Sequence, residues 1–314
     1  MGMQSSSSQR MRKLFHLLYK LQLKKPYRSI DRLGYLKRLK REKHATDDWY
    51  YSDKDAWQYH GQEILICSRF RDIPVMFFCD PRAHVEKKII RDGLYDVHIL
   101  NYMVQVLSPG TVVLDVGASI GAYAIPLAKA FPHVTVHAFE PNPHAVGRLR
   151  RNIAINRTHN VTVHQAAAGA APGRGEFYAF DVRDAGLSSF IEPKQKERNY
   201  QTVPVDILTL DEVCRGLPER ISAIKIDVQG YEAEALEGSH DVIKTHRPRI
   251  LFEHEDGNFE GPDSARKAKR RLEGFFLEMR YDVFYITRYD PCMLFPVDWE
   301  RPLYGNLIAM PQGI

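Results

Sequence analysis

Cysteine is scarce in this chain, and the few cysteines form no recognisable pattern. Four occur among 314 residues, and no two of them have the C-x-x-C spacing of metal or redox sites. Scattered thiols of this kind argue against a disulfide framework and a zinc site, and they are typical of a reducing compartment. We expect Cys67 and Cys79 to face each other across a hairpin.

Long apolar runs are also missing. No stretch approaches the roughly 20 apolar residues that a membrane-spanning helix needs. The first residues, MGMQSSSSQRMRKLF, lack the apolar core and the small-residue cleavage site of a signal peptide. These absences predict a cytoplasmic location, with peripheral contact to the inner face of the membrane as an open alternative.

Acidic residues are rare at the beginning of the chain. Residues 1–45 contain thirteen Lys or Arg but only Asp31 and Glu42, a local net charge of +11, so the remainder carries −6 of the total of +5. Leucines within residues 14–21 recur at i, i+3, i+4 and i+7, which predicts an amphipathic helix. A basic helix of this kind can pack with its charged face in solvent, lie on an anionic membrane, or bind nucleic acid. Nucleic acid has the least support, because no aromatic-interleaved basic groove accompanies the helix.

The pattern beyond this leader divides the rest of the chain in two. Residues 1–46 are predicted to be a basic amphipathic helical leader, and residues 47–108 a cap made of a hairpin and helices. Residues 109–314 alternate strands with helices, which is typical of a mostly parallel α/β sheet. We predict a Rossmann-like, doubly wound domain that ends in an antiparallel strand pair, YDVFYIT and NLIAMP.

Three local predictions are less regular. The stretch IGAYAIPLAKAF is predicted to be helical, and YEAEALEGSHDVIKTH is predicted to be one helix. GEFYAF and GLSSFIEP are predicted to form a hairpin or flexible insert, followed by TVPVDILTL. This insert, near residues 172–200, and the cap are where we expect an acceptor pocket.

The stretch VVLDVGASIG ends a predicted strand with an acid and a glycine turn. Ligands bind beyond the carboxyl ends of strands in doubly wound sheets, so this turn marks a candidate site. Gly117 and Gly121 would let a ligand approach the backbone closely, and Asp115 could accept a hydrogen bond from a cationic group. A dinucleotide turn would require glycine where Ser119 stands, and an acid inside the turn would repel phosphate. The pattern therefore favours S-adenosylmethionine (SAM) over NAD.

The second strand ends in HAFEPNP and supplies another acid. Glu140, at its tip, could accept hydrogen bonds from both ribose hydroxyls. Asn142 is predicted to be a helix N-cap, a ribose contact, or both. Gln165 and Ala166, which close the third strand, would flank the adenine.

The fourth and fifth strands end in IKIDVQGYE and LFEHED. Asp227 is the leading candidate for a general base or for orienting an acceptor hydroxyl, with capping of its own turn or pairing with Lys225 as the alternative. Glu253 and His254 should reach the same rim, and a histidine there could take a hydroxyl proton. Asp227 with Glu253 could also hold Mg²⁺, but two acids alone are weak support for a metal. We expect no resident metal.

The acceptor class follows from what this rim lacks. An N/D-P-P-Y type loop, which stacks planar amine or base acceptors, is absent after the fourth strand, where DVQG occurs instead. The sequence therefore predicts a hydroxyl acceptor.

Five segments together resemble the FkbM family of SAM-dependent methyltransferases: DVGASIGAYA, AFEPNP, NVTVHQAAAG, IKIDVQGYEAEALEG and PRILFEHE. The resemblance spans roughly residues 93–255 and includes the lead-in GLYDVHIL. It implies a class I methyltransferase fold, SAM as cofactor, and O-methylation of sugars, polyketides or related natural products.

The resemblance also implies roles for individual residues. By position, Asp115, Gly117 and Gly121 match the family's SAM glycine loop, and Glu140 and Asn142 match its ribose-binding turn. We expect the cofactor site to include also Tyr95, Ala118, Ser119, Pro141, Gln165 and Ala166. Asp227 and Gly230 match the motif after the fourth strand, while Lys225, Glu253 and His254 join Asp227 as catalytic candidates. Two positions depart from the family pattern, because Ser119 stands where Asn is usual and Gln229 where Glu is usual. The loss of charge at Gln229 argues against a catalytic role for an acid there.

Two other enzymatic functions remain open from the sequence, beside a membrane- or polymer-binding module in which the methyltransferase domain serves only as a scaffold. One is methylation of RNA or another polyanion recruited by the basic leader. The other is an NAD-linked oxidoreductase on the same type of sheet, against which the missing middle glycine counts. We expect a small-molecule or glycan acceptor as the partner of the main domain.

Overall fold

The structure is a computed structural model that describes residues 63–180, 186, 188–192, 200–286 and 294–313. The predicted leader, the first part of the cap and Cys292 lie outside the described residues, so the predictions for them stay predictions. No helix in the described part of the chain combines the length and apolar composition that crossing a membrane requires.

Thirteen strands and eight α-helices are described. The strands are β1 (Ile64–Phe70), β2 (Ile73–Cys79), β3 (Thr111–Val116), β4 (Thr135–Phe139), β5 (Val161–His164), β6 (Ala167–Ala168), β7 (Gly173–Phe180), β8 (Tyr200–Leu208), β9 (Arg220–Ile226), β10 (Arg249–Glu255), β11 (Tyr281–Ile286), β12 (Leu294–Pro296) and β13 (Tyr304–Pro311). The helices are α1 (His84–Asp92), α2 (Val97–Val104), α3 (Ala124–Ala130), α4 (Pro143–Asn156), α5 (Leu210–Cys214), α6 (Glu232–Glu237), α7 (His240–His246) and α8 (Gly261–Glu278).

The central sheet has eight strands in the order β12-β11-β13-β10-β9-β3-β4-β5. Strands β3, β4, β5, β9 and β10 are parallel, whereas β13 runs antiparallel to both β10 and β11. Strand order reverses at β3, so the carboxyl ends of β3, β4, β9 and β10 meet at one edge beside the switch point. The predicted class I methyltransferase fold, with its C-terminal antiparallel strand, is confirmed.

Both faces of β3 are buried, which explains its continuous apolar sequence. Val113 packs in a cluster with Phe77 of β2 and Leu127 of α3, so the β1–β2 hairpin shares the core of the sheet. Leu114 packs on the opposite face with Leu236 of α6 and Phe276 of α8. Full burial of one such side chain contributes about 2 kcal/mol.

Two asparagines on α4 join the hairpin to the main sheet. Asn156 accepts a hydrogen bond from Met76 N at 2.9 Å and donates to Met76 O, as a neighbouring strand would. Asn152, one turn earlier, accepts from Phe78 N at 2.8 Å and donates to Ile120 O at 3.1 Å. Backbone groups on the edge of β2 that does not pair with β1 thereby have hydrogen-bond partners, and the hairpin is linked to the turn that follows β3.

The hairpin register corrects the prediction for the two cysteines. The strands pair antiparallel, as predicted, but Cys67 lies opposite Met76 and Cys79 lies opposite Ile64. Three residues separate the two cysteines in register, so they do not face each other. Both are free thiols, and Cys79 is buried.

Three other local predictions need correction. GEFYAF pairs along β7 with β8, which contains TVPVDIL, while the described part of GLSSFIEP contributes an isolated bridge between Ser189 and Tyr178. The predicted helix YEAEALEGSHDVIKTH divides into α6 and α7 at Gly238, where a Cβ would lie 1.9 Å from Gly169 O. Helix α3 begins only at Ala124, because the preceding four residues form turns.

Candidate functional site

Four acids occupy the edge where the carboxyl ends of the parallel strands meet. Asp115 is the penultimate residue of β3, and Glu140 follows β4 directly. Asp227 follows β9 directly, and Glu253 lies two residues before the end of β10. The first two form the donor edge, and the last two, with Gln229, form the acceptor edge.

The glycine turn after β3 is shaped by its protein neighbours. Gly117 has a φ of +81°, and a Cβ there would lie 1.9 Å from the carbonyl oxygen of Asp227. Gly121 has a φ of +90°, and a Cβ there would lie 2.6 Å from Ile125 Cδ1. Close packing inside the protein therefore requires both glycines, and the close approach of a ligand stays a prediction. Ser119 holds the same turn at a φ of +49° despite its side chain.

Glu140 is tied to the backbone on both sides of the crevice. Its Oε2 accepts from Ser119 N at 2.8 Å, and its Oε1 accepts from Asn142 N at 2.9 Å. Burial raises the pKa of Glu140 to about 7, although these two amide hydrogen bonds lower it. The side chain is thus held at the donor edge in one fixed orientation.

The other residues predicted to bind the cofactor differ in burial and contacts. Asn142 is the N-cap of α4, as predicted, and its Oδ1 accepts from His144 N at 3.0 Å. Pro141 and Ala118 are buried beside it, and Ala118 N donates to Phe139 O. Ala166 is buried, whereas Gln165 is exposed. Tyr95 lies edge-on to Tyr123, with ring centroids 5.8 Å apart.

Asp115 is fully buried near the end of β3, just before the glycine turn. It has no exposed surface, and its Oδ2 accepts from Ala124 N at 3.1 Å. Its Oδ1 has no hydrogen-bond partner and lies 3.6 Å from Lys225 Nζ. Burial raises the pKa of Asp115, against the opposing charge of Lys225. The predicted contact with a ligand cation stays a prediction, and the geometry shows a residue that supports the turn.

Lys225 connects the two edges of the site. Its ammonium group donates to Gly117 O at 3.1 Å and lies 3.5 Å from Asp227 Oδ2. It also lies 4.8 Å from the ring centroid of Tyr123, a residue that the sequence did not single out. Burial would lower the pKa of Lys225, but the charges of Asp227 and Asp115 outweigh burial and raise it. The group is therefore a buried cation.

The acceptor edge is built from side chains that contact one another. The Gln229 amide donates to Asp227 Oδ1 at 3.0 Å and to Glu253 Oε2 at 3.4 Å. Burial opposes ionisation of Asp227, but Lys225 and the hydrogen bonds from Glu253 and Gln229 outweigh it and lower its pKa. The charge of Asp227 and burial raise the pKa of Glu253 well above its usual range. The pair therefore consists of one carboxylate and one protonated acid near neutral pH.

Residues that the sequence missed hold the turn after β9. Glu232 Oε1 accepts from Gly230 N at 2.9 Å and from Val228 N at 3.4 Å. Ser189, from the insert, donates to the carbonyl oxygen of Gln229 at 2.8 Å. An acid at the start of α6 could have suggested the first contact, but no local signal identifies Ser189.

His254 lies away from this cluster. Successive residues of a strand point to opposite faces, so His254 and Glu253 cannot share the rim. The ring is 1% exposed, lies 3.3 Å from Asp256 Oδ1, and stacks on Phe259. Burial lowers the pKa of His254, with Asp256 opposing. The proposed role as a base therefore has no geometric support.

The donor edge fits the cofactor that the sequence predicts. A carboxylate has about four acceptor positions, so Glu140 can accept two ribose hydroxyls while keeping both amide hydrogen bonds. Bound SAM supplies an electrophilic methyl group. Among the described residues, no group of three or more His, Cys, Asp or Glu side chains is arranged to hold a metal.

Comparison with known proteins agrees with this geometry. The model of the methyltransferase FkbM domain matches residues 115–283, which is more than half of the chain. The match begins at the acid of the β3 turn and ends within β11.

Several relatives carry methyltransferase names. The 2-O-methyltransferase NoeI of Sinorhizobium fredii is 30% identical over 187 residues, covering 55% of this chain and 75% of that protein. The 31-O-demethyl-FK506 methyltransferase FkbM of Streptomyces tacrolimicus is 32% identical over 181 residues, covering 48% of this chain and 67% of that protein. Methyltransferase 1 of Beauveria bassiana is 25% identical, covering 52% and 72% respectively.

A solved structure of methyltransferase FkbM from Methylobacillus flagellatus aligns at 19% identity with a TM-score of 0.40. The alignment covers 67% of this chain and half of that chain, and at this score it adds no argument of its own. The family model, together with the strand order, decides the assignment. The chain belongs to the FkbM family of SAM-dependent methyltransferases.

Proposed function

We propose that the protein methylates a hydroxyl group, on a sugar, a glycan or a glycosylated natural product. The observation that supports this proposal is the acceptor edge, where Asp227, Gln229 and Glu253 form a polar cluster near the glycine turn after β3. Both hydrogen-bond donors and acceptors are available there, which suits the hydroxyl groups of a polyol. Two relatives that are named for O-methylation, NoeI and FkbM, support the same acceptor class.

Asp227 serves in this proposal mainly to hold the acceptor. Its lowered pKa makes it a weak base, so it orients the hydroxyl by accepting a hydrogen bond and receives the proton late in the reaction. Positioning of the reacting oxygen then supplies most of the acceleration. Lys225 keeps Asp227 ionised and, through its hydrogen bond to Gly117 O, fixes Asp227 relative to the glycine turn after β3.

The test is product analysis with a panel of acceptors. The full chain is incubated with methyl-labelled SAM and with glycosides, polyketide alcohols, amines and RNA, and the products are analysed by mass spectrometry. We expect label in a methyl ether of a glycoside or polyol. Label only on nitrogen, on carbon or on RNA would refute the proposal, and Asp227→Ala should reduce the correct product strongly.

A further inference from the structure

Two acids, Asp227 and Glu253, share a small space at the acceptor edge. Gln229 Nε2 lies 3.0 Å from Asp227 Oδ1 and 3.4 Å from Glu253 Oε2, so one amide group bridges both acids. Close acids repel each other unless a cation, a proton or a hydrogen-bond donor lies between them. Oxygen ligands in such an arrangement would otherwise suit a divalent cation such as Mg²⁺. Here the bridging position contains a neutral donor.

The second oxygen of Asp227 is also occupied. Lys225 Nζ lies 3.5 Å from Asp227 Oδ2 and is itself fixed at 3.1 Å from Gly117 O. Asp227 therefore has a protein donor at each oxygen, and one of these donors is a buried cation. A divalent ion would have to displace the amide and would be repelled by the nearby ammonium group.

The bridging amide is held in place by the turn to which it belongs. Gln229 has a φ of +53°, and its carbonyl oxygen accepts from Ser189 Oγ at 2.8 Å. Glu232 Oε1 holds the next amide, Gly230 N, at 2.9 Å. A Cβ on Gly230 would lie 2.4 Å from Ile191 Cδ1, so the insert packs directly against this turn. The insert and α6 together fix the direction of the Gln229 side chain.

We propose that Gln229 makes this acceptor site independent of divalent cations, by placing its side-chain amide between the two acids where a cation would bind. Gln229 is thus a positioning residue that keeps Asp227 and Glu253 together and leaves their outer lone pairs for an uncharged hydroxyl acceptor. This inference rests on the proposed function, because it assigns the pair to the acceptor.

Substitution of the bridging amide by an acid tests this directly. Gln229→Glu places three acidic side chains close together, and we expect this variant to bind Mg²⁺ at least about 10-fold more tightly than the wild type. Isothermal titration of the full chain with MgCl₂ alone measures this. Gln201→Glu adds the same charge on an exposed strand position and should leave Mg²⁺ binding at the wild-type level.

A double variant and a smaller variant complete the design. Gln229→Glu combined with Glu253→Gln restores two acids and one amide, and it should return Mg²⁺ binding to the wild-type level. Gln229→Ala removes the donor without adding charge and should bind Mg²⁺ more tightly than the wild type; it remains informative where Gln229→Glu does not fold. Methyl transfer by the wild type should be unchanged in EDTA.

Two results would overturn the inference. One is wild-type activity that is lost in EDTA and restored by Mg²⁺. The other is a Gln229→Glu or Gln229→Ala protein that folds and binds Mg²⁺ no better than the wild type. Titration with S-adenosylhomocysteine distinguishes a failure of this inference from a failure of the proposed function. If neither the wild type nor any variant bound S-adenosylhomocysteine, the cofactor assignment itself would be wrong.

Discussion

The donor edge and the acceptor edge use acids in different ways. At the donor edge, both oxygens of Glu140 accept hydrogen bonds from backbone amides, those of Ser119 and Asn142. At the acceptor edge, Asp227 and Glu253 are bridged by a side chain, that of Gln229. Main-chain contacts fix the first carboxylate whatever the neighbouring side chains are, whereas the second arrangement depends on the identity of one residue.

This difference separates what a family can share from what one chain can change. A backbone-bound carboxylate keeps its geometry through substitution of its neighbours, which suits a cofactor that all members use. A side-chain network alters its charge and shape with a single substitution, which suits an acceptor that differs between members. Substitutions can test the two edges first together and then separately.

Gly117→Ala should have the largest effect, because this glycine lies where the two edges touch. A Cβ would meet Asp227 O at 1.9 Å, and the φ of +81° is unfavourable for alanine. We expect the free energy of unfolding to fall by about 3 kcal/mol or more, with loss of cofactor binding. Chemical denaturation and titration with S-adenosylhomocysteine measure both effects.

Gly110→Ala is the matched control for this variant. Its φ is +75°, but no atom lies within 4 Å of the added Cβ. It should cost only the backbone strain of about 1–2 kcal/mol and leave cofactor affinity intact. Equal losses in the two variants would show that backbone strain, and not the contact with Asp227, explains Gly117.

Glu140→Ala tests the donor edge alone. The substitution removes the acceptor of two amides and the proposed ribose contact, so affinity for S-adenosylhomocysteine should fall by about 30-fold, or about 2 kcal/mol. Glu140→Gln keeps one carbonyl acceptor and should lose less. Unchanged affinity in Glu140→Ala would disprove the ribose assignment, and it would remove the distinction drawn between the edges.

Asp227→Asn tests the acceptor edge alone. The amide still fills the space but cannot accept the hydroxyl proton, so turnover with the identified acceptor should fall by about 10-fold. Affinity for S-adenosylhomocysteine should stay within about threefold of the wild type, which is less than 1 kcal/mol. Asp263→Asn, on a highly exposed side chain of α8, is the control. A larger loss of cofactor affinity than of turnover would place Asp227 at the donor edge.

Much of the donor edge could be predicted from the sequence because its contacts are local. Glu140 and Asn142 lie two residues apart, and an Asn before a proline is a strong N-cap signal. The doubly wound sheet could also be predicted, since alternating strands and helices leave few topologies. The burial of Asp115 could not be predicted. An acid at the end of a strand can either contact a ligand or support the turn from inside the protein, and the sequence is the same in both cases.

The acceptor edge could be predicted only in part. Strand alternation would have separated Glu253 from His254, but both were assigned to one rim. The bridge by Gln229 depends on a positive φ at a residue other than glycine, which the sequence does not reveal. The contact from Ser189 joins positions 40 residues apart, and only the packed insert brings them together.

The remaining prediction concerns the turn that carries Gln229. Burial raises the pKa of Glu232 to about 7 from an ordinary value of 4.5, although Gly230 N and Val228 N donate to its Oε1. Between these pH values the folded state holds a proton that the unfolded state releases, so the stabilisation is complete below about pH 4.5 and is lost as the pH rises through about 7.

Glu232→Gln removes this titration while keeping an oxygen that can accept both amide hydrogen bonds. The variant and the wild type should have similar stability at pH 5, where Glu232 is protonated in the fold. Between pH 5 and pH 8 the variant should gain about 2 kcal/mol of stability relative to the wild type, measured by urea denaturation at both pH values. Glu140→Gln should change in the same direction with pH, since burial raises the pKa of Glu140 to about 7 as well. If the stabilities of both Gln variants changed in parallel with pH, each edge would contain one buried acid bound by main-chain amides. The two edges would then differ at Gln229 and not in how their turns are held. A constant difference between Glu232→Gln and the wild type would instead place Glu232 in solvent and leave the Gln229 turn held by Ser189.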